Sequence, residues 1–344
     1  MFAYYVHHLN PVALPLFGNL QLRWYGLAYL SGFLAGFLLL RYLAKKQLWV
    51  LKPEKTADFI AAAALFGVFI GGRLGYILFY HIPREGWESL IKDPLLVVRV
   101  WEGGMASHGG ILGLVIFTWF YAKKHKVSWT GLGDGLCVVA PIGLFFGRMA
   151  NFINGELYGR VVHGISWAVK FPLALTDSHA PEALNFDAAA AAAVNADPSL
   201  LKSYEAMQSA SDAGYGYART QFFDNLLASN RHSEAVRDAI APYLEPRHPS
   251  QIYEGMLEGL LLFSILWTVR ILCPKAPNGL LTGLFFGIYA IFRIFGEQFR
   301  QPDAAWVVQG LVTQGQFLSC FMFLFSAAFL FYAWTQHRKA KNAL

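Results

Sequence analysis

Seven continuous apolar runs, at roughly 19–41, 58–80, 105–122, 132–151, 251–272, 279–299 and 314–336, constrain this chain more than any other feature. Each is close to the ~20 residues a helix needs to cross a hydrocarbon core. The runs are continuous rather than alternating, which selects helices over barrel strands, since in lipid every backbone N–H and C=O must be paired internally. With 56% apolar, 16% aromatic and only 15% charged residues, the 344-residue chain is too apolar for a soluble globular protein. The expected fold is an all-α polytopic membrane protein with seven transmembrane helices.

Basic residues set the expected orientation. Arg41, Lys45, Lys46, Lys52 and Lys55 follow the first run; Lys123, Lys124 and Lys126 the third; Arg270 and Lys275 the fifth; Arg338, Lys339 and Lys341 the seventh. Seven spans put all four clusters on one side, which the positive-inside rule makes the cytoplasm, with the amino terminus external and the carboxyl terminus cytoplasmic. Three regions follow: 1–160, transmembrane helices one to four with interfacial site segments; 161–247, an external segment; and 248–344, helices five to seven. Because the first charge is Arg23, no basic n-region precedes the first run, and that span is expected to be retained rather than cleaved. Cys137, Cys273 and Cys320 lie in or beside the runs without metal-ligand spacing, so they read as packing residues, and no metal or cofactor is expected. The net charge of +6 is explained by the cytosolic loops and does not call for nucleic acid.

The external segment changes character along its length. From Arg160 to Pro249 it holds seven Lys/Arg against ten Asp/Glu. Val161 to Leu175 is partly β-branched and fits a short strand or an interfacial element. Beyond it come an alanine run at Ala188–Ala193, a helix-start signal at Asp197-Pro198 and helical spacing over Glu234–Leu244. A mainly helical cap of two to four short helices near 182–244 is expected, with Tyr204, Phe222, Phe223 and Leu226 supplying more apolar surface than a linker carries.

Polar groups interrupt the runs at defined places. Arg148-Met-Ala-Asn151-Phe-Ile-Asn154-Gly-Glu156-Leu-Tyr-Gly159-Arg160 sets two arginines, two amides and a carboxylate after an apolar run. An arginine at the bilayer centre costs about 2.5–3.5 kcal/mol on insertion scales, so such a cluster points to a site for an anionic lipid rather than to a snorkelling anchor. Tyr289, Arg293, Glu297 and Arg300 fall within an arc of about 80° on one helix face; a structural Arg–Glu pair is the plain alternative for Arg293 and Glu297. Gln251, Glu254 and Glu258 share a face of the fifth run, where arginines of the fourth and sixth are the available partners and Ser250 is a candidate cap. Gly103-Gly-Met-Ala-Ser-His108-Gly-Gly110 opens the third run. Its glycines leave room for close approach, and an ordinary imidazole pKa near 6.5 suits proton transfer, although a structural histidine fits equally.

Six stretches together resemble the bacterial prolipoprotein diacylglyceryl transferase family: Arg23-Trp-Tyr-Gly26, Gly71-Gly-Arg-Leu-Gly75, Trp101-Glu-Gly-Gly-Met-Ala-Ser-His-Gly-Gly110, Gly147–Arg160, Arg247-His-Pro-Ser-Gln-Ile-Tyr-Glu254 and Tyr289–Asp303. The resemblance covers almost the whole membrane portion in the family's order. It implies seven transmembrane helices in the bacterial cytoplasmic (inner) membrane and an active site towards the external face. The implied reaction transfers the diacylglyceryl group of phosphatidylglycerol to the lipobox cysteine thiol of a preprolipoprotein signal peptide, forming a thioether and releasing glycerol phosphate. It also implies that Tyr25, His108, Arg148, Asn151, Gly159, Tyr289 and Arg293 matter for activity, while Glu156, Glu254, Glu297 and Arg300 match further polar motif positions. The departure is the 161–247 segment, which is longer than the family usually has.

The chemistry agrees with that implication. A thiol with a reference pKa near 8.5 needs deprotonation or an electropositive setting, and arginines aimed at a departing phosphate lower the barrier as charge develops. His108, Arg148, Arg293 and Tyr289 are therefore the expected catalytic group, with Arg148 and Arg293 on the phosphate and His108 activating the thiol. Tyr25, Asn151, Glu156, Gly159, Glu254, Glu297 and Arg300 are expected to bind substrate together with Arg148. Partners are phosphatidylglycerol, the lipobox signal peptide and the bilayer itself, with no nucleic acid. The alternative is a transporter or flippase that moves an anionic lipid along the same polar seam.

Overall fold

The computed structural model describes residues 4–16, 21–99, 103–302, 308 and 312–342. Trp101, Glu102 and Asp303 of the motifs lie outside the described residues, as does the start of the first apolar run. Among the described residues five helices are long and apolar enough to cross a membrane: Trp24–Lys45, Pro53–Glu85, Trp129–Asn154, Ser250–Leu272 and Gly315–Asn342. Two further helices coincide with apolar runs. Ser107–His125 has 19 residues and carries His108 and a basic last turn among its apolar side chains. Leu280–Gly296 has 17 residues, about 26 Å at 1.5 Å per residue, slightly less than a typical hydrocarbon core. Its start is fixed from a distance, because the buried Asp134 carboxylate accepts from Gly279 N and from Thr282 N and Oγ1, all at 2.8 Å. Those are donors a helix N-terminus leaves open.

The chain divides into two compact units, one comprising Met1–Ser31, Leu144–Leu261 and Tyr289–Phe321, the other Gly32–Gly143, Leu262–Ile288 and Met322–Leu344. In the second unit a run of small residues sets the packing of Pro53–Glu85 on Ser107–His125. A Cβ on Gly75 would lie 2.4 Å from Gly109 Cα, one on Gly71 2.7 Å from Gly109 O, and one on Gly113 2.4 Å from Gly67 O. Backbones meet here without side chains between them, the small-xxx-small contact that membrane helices use in place of a hydrophobic drive. Arg73, buried beside this seam, donates to the carbonyls of Val97, Leu96, Gly103 (2.5 Å) and Gly104 (2.9 Å), which ties the preceding loop to the helix.

The first unit is not purely helical. Strand β1 (Tyr5–Val6) runs parallel to β4 (Val169–Lys170), which pairs antiparallel with β5 (Pro246–Arg247); β2 (Val12–Pro15) and β3 (Gln21–Arg23) form a hairpin leading into Trp24–Lys45. The small sheet joins both ends of the 161–247 segment to the amino-terminal residues. Within that segment the chain forms helices Phe186–Ala196, Leu201–Gln208, Asp212–His232 and Glu234–Ile240, the third too long to be called short. Ala189, Ala190 and Ala193 are fully buried on one face and pack, with Phe222, Leu226 and Val236, in a single apolar core. Asp197 accepts from Ser199 N at 3.0 Å and Ser233 Oγ from Val236 N at 3.3 Å, so two of the turns are capped by side chains.

Candidate active site

Three helix ends in the first unit bring charge together. Arg148 lies two turns before the carboxyl end of Trp129–Asn154 and Arg293 in the last turn of Leu280–Gly296, while Glu254 lies in the first turns of Ser250–Leu272. Cations near carboxyl ends and anions near amino ends are favoured by the helix dipoles. The backbone from Gly255 to Leu261 winds as a π-helix, and Glu258, one turn on, stays on the same side as Glu254.

The result is a network of three arginines and three glutamates. Arg148 Nη1 is 3.0 Å from Glu254 Oε2 and its Nη2 3.0 Å from Glu258 Oε2. Arg293 Nη1 is 2.5 Å from Glu254 Oε1 and 3.6 Å from Glu258 Oε1, and its Nη2 is 2.9 Å from Glu297 Oε2. Arg300 Nη1 reaches Glu254 Oε2 at 3.3 Å. Glu254 is thus shared by all three arginines, and the formal charges cancel. Both forks expected to be free for a phosphate are engaged by carboxylates. The Arg148 and Arg293 side chains are nevertheless 16% and 15% exposed, whereas Glu254 and Glu258 are fully buried, so the cations form the accessible edge. Tyr289 is half-buried one turn before Arg293.

The expectation that Tyr289, Arg293, Glu297 and Arg300 follow one helical stripe needs correction. The helix stops at Gly296, and Glu297 and Arg300 lie in the turn beyond it. The backbone of Arg300 leaves the helical path to form a β-bridge with Gly159, yet both side chains still reach the network. Ser250 does not cap its own helix: its Oγ donates to Leu157 O at 3.1 Å, and Gln251 Nε2 donates to Glu156 O at 2.6 Å. Both hold the motif loop instead.

A second polar chain runs beside the network. Asn151 Nδ2 donates to Tyr25 Oη at 2.7 Å and to Glu156 Oε1 at 2.8 Å. Gly159 acts through its backbone. A Cβ there would lie 2.5 Å from both His248 O and Phe299 O, so only glycine fits this crossing. Ten of the eleven expected site residues, all but His108, therefore lie in the first unit.

His108 is exposed, second in the Ser107–His125 helix, and belongs to the second unit. Its flanking Gly109 is used for packing against Gly71 and Gly75 rather than for substrate space. The four-residue spacing of Gly67, Gly71 and Gly75, and of Gly109 and Gly113, was the available signal. Sequence reading also passed over Glu182, whose carboxylate takes the buried Arg247 in a two-pronged pair at 2.7 and 2.6 Å. An isolated glutamate in a helical segment carries no periodic signature of that partnership.

The profile of the prolipoprotein diacylglyceryl transferase family matches residues 11–332. The chain is similar to curated proteins named phosphatidylglycerol–prolipoprotein diacylglyceryl transferase. It is 38% identical to that of Bdellovibrio bacteriovorus over 98% of this chain and 96% of the relative. For Psychrobacter arcticus the values are 33%, 94% and 93%, and for Azospirillum brasilense 36%, 92% and 91%. Motif order, an arginine–glutamate network built from those motifs and similarity along almost the full length agree: the chain belongs to the prolipoprotein diacylglyceryl transferase family.

Proposed function

We propose that the protein transfers the diacylglyceryl group of phosphatidylglycerol to the lipobox cysteine thiol of a preprolipoprotein, releasing glycerol phosphate. The observation that carries this reading is the accessible arginine edge of a neutral, buried network. It offers cations to a phosphate without leaving uncompensated charge when the site is empty.

In the reaction the cysteine sulfur attacks the diacylglyceryl methylene carbon. The C–S bond forms as the C–O bond to phosphate breaks, the electron pair stays on the phosphate oxygen, and the thiol proton leaves to a base. Arg148 and Arg293 take the phosphate on their exposed sides as charge builds on it, and Glu254, Glu258 and Glu297 hold the two guanidinium groups in place. Tyr289 adds a hydroxyl one turn from Arg293. Tyr25, Asn151 and Glu156 bind the donor as one hydrogen-bonded chain, and Arg300 and Gly159 keep the floor of the site in register. His108 activates the thiol.

In the proposed topology seven helices span the inner membrane, with 161–247 as an external cap. Reporter fusions at Lys124 and at the carboxyl terminus should read cytoplasmic and one near Ala190 external; an external carboxyl terminus would overturn the topology. The activity is tested by incubating purified protein with labelled phosphatidylglycerol and a lipobox peptide. A peptide mass increased by one diacylglyceryl group supports transfer, whereas lipid movement between leaflets without a covalent product supports the transporter alternative.

A further inference from the structure

Arg247 is fully buried, and each of its three guanidinium nitrogens donates a hydrogen bond. Nε and Nη2 form the two-pronged pair with Glu182, at 2.7 and 2.6 Å. Nη1 donates to the carbonyl of Gly159 at 3.0 Å, and the guanidinium lies over the Tyr158 ring, 4.8 Å from its centroid. Lysine could not replace these contacts, because an ammonium has neither the planar fork nor the stacking face.

What Arg247 holds is the backbone crossing under the ion network. Gly159 N donates to His248 O at 2.9 Å, Arg160 N to Phe299 O at 2.8 Å and Gln301 N to Tyr158 O at 3.2 Å. Residues 158–160 therefore run between two other extended segments, and Gly159 bridges to Arg300. Arg300 in turn places its guanidinium on Glu254, the carboxylate that all three arginines share. A continuous set of contacts leads from Glu182, at the base of the 161–247 segment, through Arg247, the Gly159 carbonyl and Arg300 to Glu254.

We propose that Glu182 and Arg247 are positioning residues for the transferase: the pair locks the Gly159 crossing and so fixes Arg300 and the shared glutamate against the arginines that meet the donor phosphate. The 161–247 segment is thereby part of the machinery that sets the site's geometry. This inference rests on the transfer reading above.

Breaking the pair on one side leaves a buried charge and destabilises the fold whatever the pair does for catalysis. The test therefore removes both charges at once, in two versions, Glu182→Leu with Arg247→Met and Glu182→Gln with Arg247→Gln. Replacing a buried ion pair by neutral groups of similar volume is often neutral for stability. Each protein is purified in detergent with phosphatidylglycerol, its Tm is measured, and kcat and KM are read in the peptide transfer assay beside wild type. In whichever version keeps a wild-type Tm, kcat is expected to fall about a hundredfold, the loss associated with misplacing reacting groups by an ångström, with KM for the lipid unchanged. Wild-type kcat at wild-type Tm in either version would overturn the positioning role, as would loss of Tm in both versions, which would make the pair purely structural. No product from wild type would instead count against the transfer reading itself.

Discussion

Two arginine–glutamate arrangements in the same unit use identical chemistry to opposite ends. Glu182 and Arg247 form a closed pair, one carboxylate on one fork, 1% and 0% exposed and so out of a ligand's reach. Around Glu254, by contrast, one carboxylate is divided among three cations, and Glu258 Oε1 and Glu297 Oε2 lack a hydrogen bond of good geometry. A pair satisfied in full is a fixture. In the shared hub each arginine competes with others for the same carboxylate.

The contrast can be broken most directly at the closed pair. Glu182→Ala should cost about 3–5 kcal/mol, because Arg247 is left buried and unpaired. Thermal melting of the purified protein measures it, and a loss below about 1 kcal/mol would mean that the pair is not closed in solution. For the same reason, replacing 182–240 wholesale with a Gly/Ser linker should fail, although loops generally tolerate length changes; a graft that keeps Glu182 and the strand contacts has a better basis.

At the hub the expected loss is catalytic. Arg148→Lys and Arg293→Lys keep the charge but lose the fork, and each should lower the transfer rate by about a hundred- to a thousandfold, or 2.7–4 kcal/mol of barrier. Insertion and melting should stay near wild type. Near-normal rates in both variants at matched protein levels would remove the arginines from the phosphate.

His7 supplies a third case, a buried titratable group with no ion partner among the described residues. It stacks on Phe171 and meets Phe152 edge-on, Asn230 Nδ2 donates to its carbonyl at 3.0 Å, and His8 and Arg231 are the nearby charged or titratable groups. Burial pushes its imidazole down to about 4, below the ordinary 6.5. Between those values the unfolded chain binds the proton and the folded one does not. Its stability contribution is therefore complete above about pH 6.5 and falls away as pH drops towards 4, by up to about 3 kcal/mol. Hydrogen exchange over Asp212–His232 should accelerate from pH 7.5 to pH 5 beyond its intrinsic pH dependence, and His7→Gln should remove that excess. The smallest effect is expected at Lys45→Ala, an exposed position with no part in either arrangement, where a change within about 0.5 kcal/mol and a wild-type rate should be measured.

The two arrangements also differ in how far the sequence discloses them. Arg148, Arg293 and Glu254 stand out as ionisable residues in apolar surroundings, so a polar cluster is legible without coordinates. The place of Arg300 is not, because it depends on a helix that ends at Gly296, where the Arg300 backbone is claimed by Gly159 far away in the chain. The helices of the 161–247 segment follow from local signals such as Asp197-Pro198 and the alanine run. Its tie to the site through Glu182 joins residues 65 positions apart with no shared periodicity, and β1, β4 and β5 are two-residue strands too short to leave a pattern.

The glycine seam of the second unit acts as a depth gauge. With Gly67, Gly71 and Gly75 seated on Gly109 and Gly113, sliding Ser107–His125 by one turn would bring Phe117 or Met105 to a place that only glycine fills. The height of His108, one residue before the seam begins, is consequently set by a rigid scale inside the bilayer rather than by the loop that precedes it. Lengthening or shortening that loop should leave the imidazole at the same level.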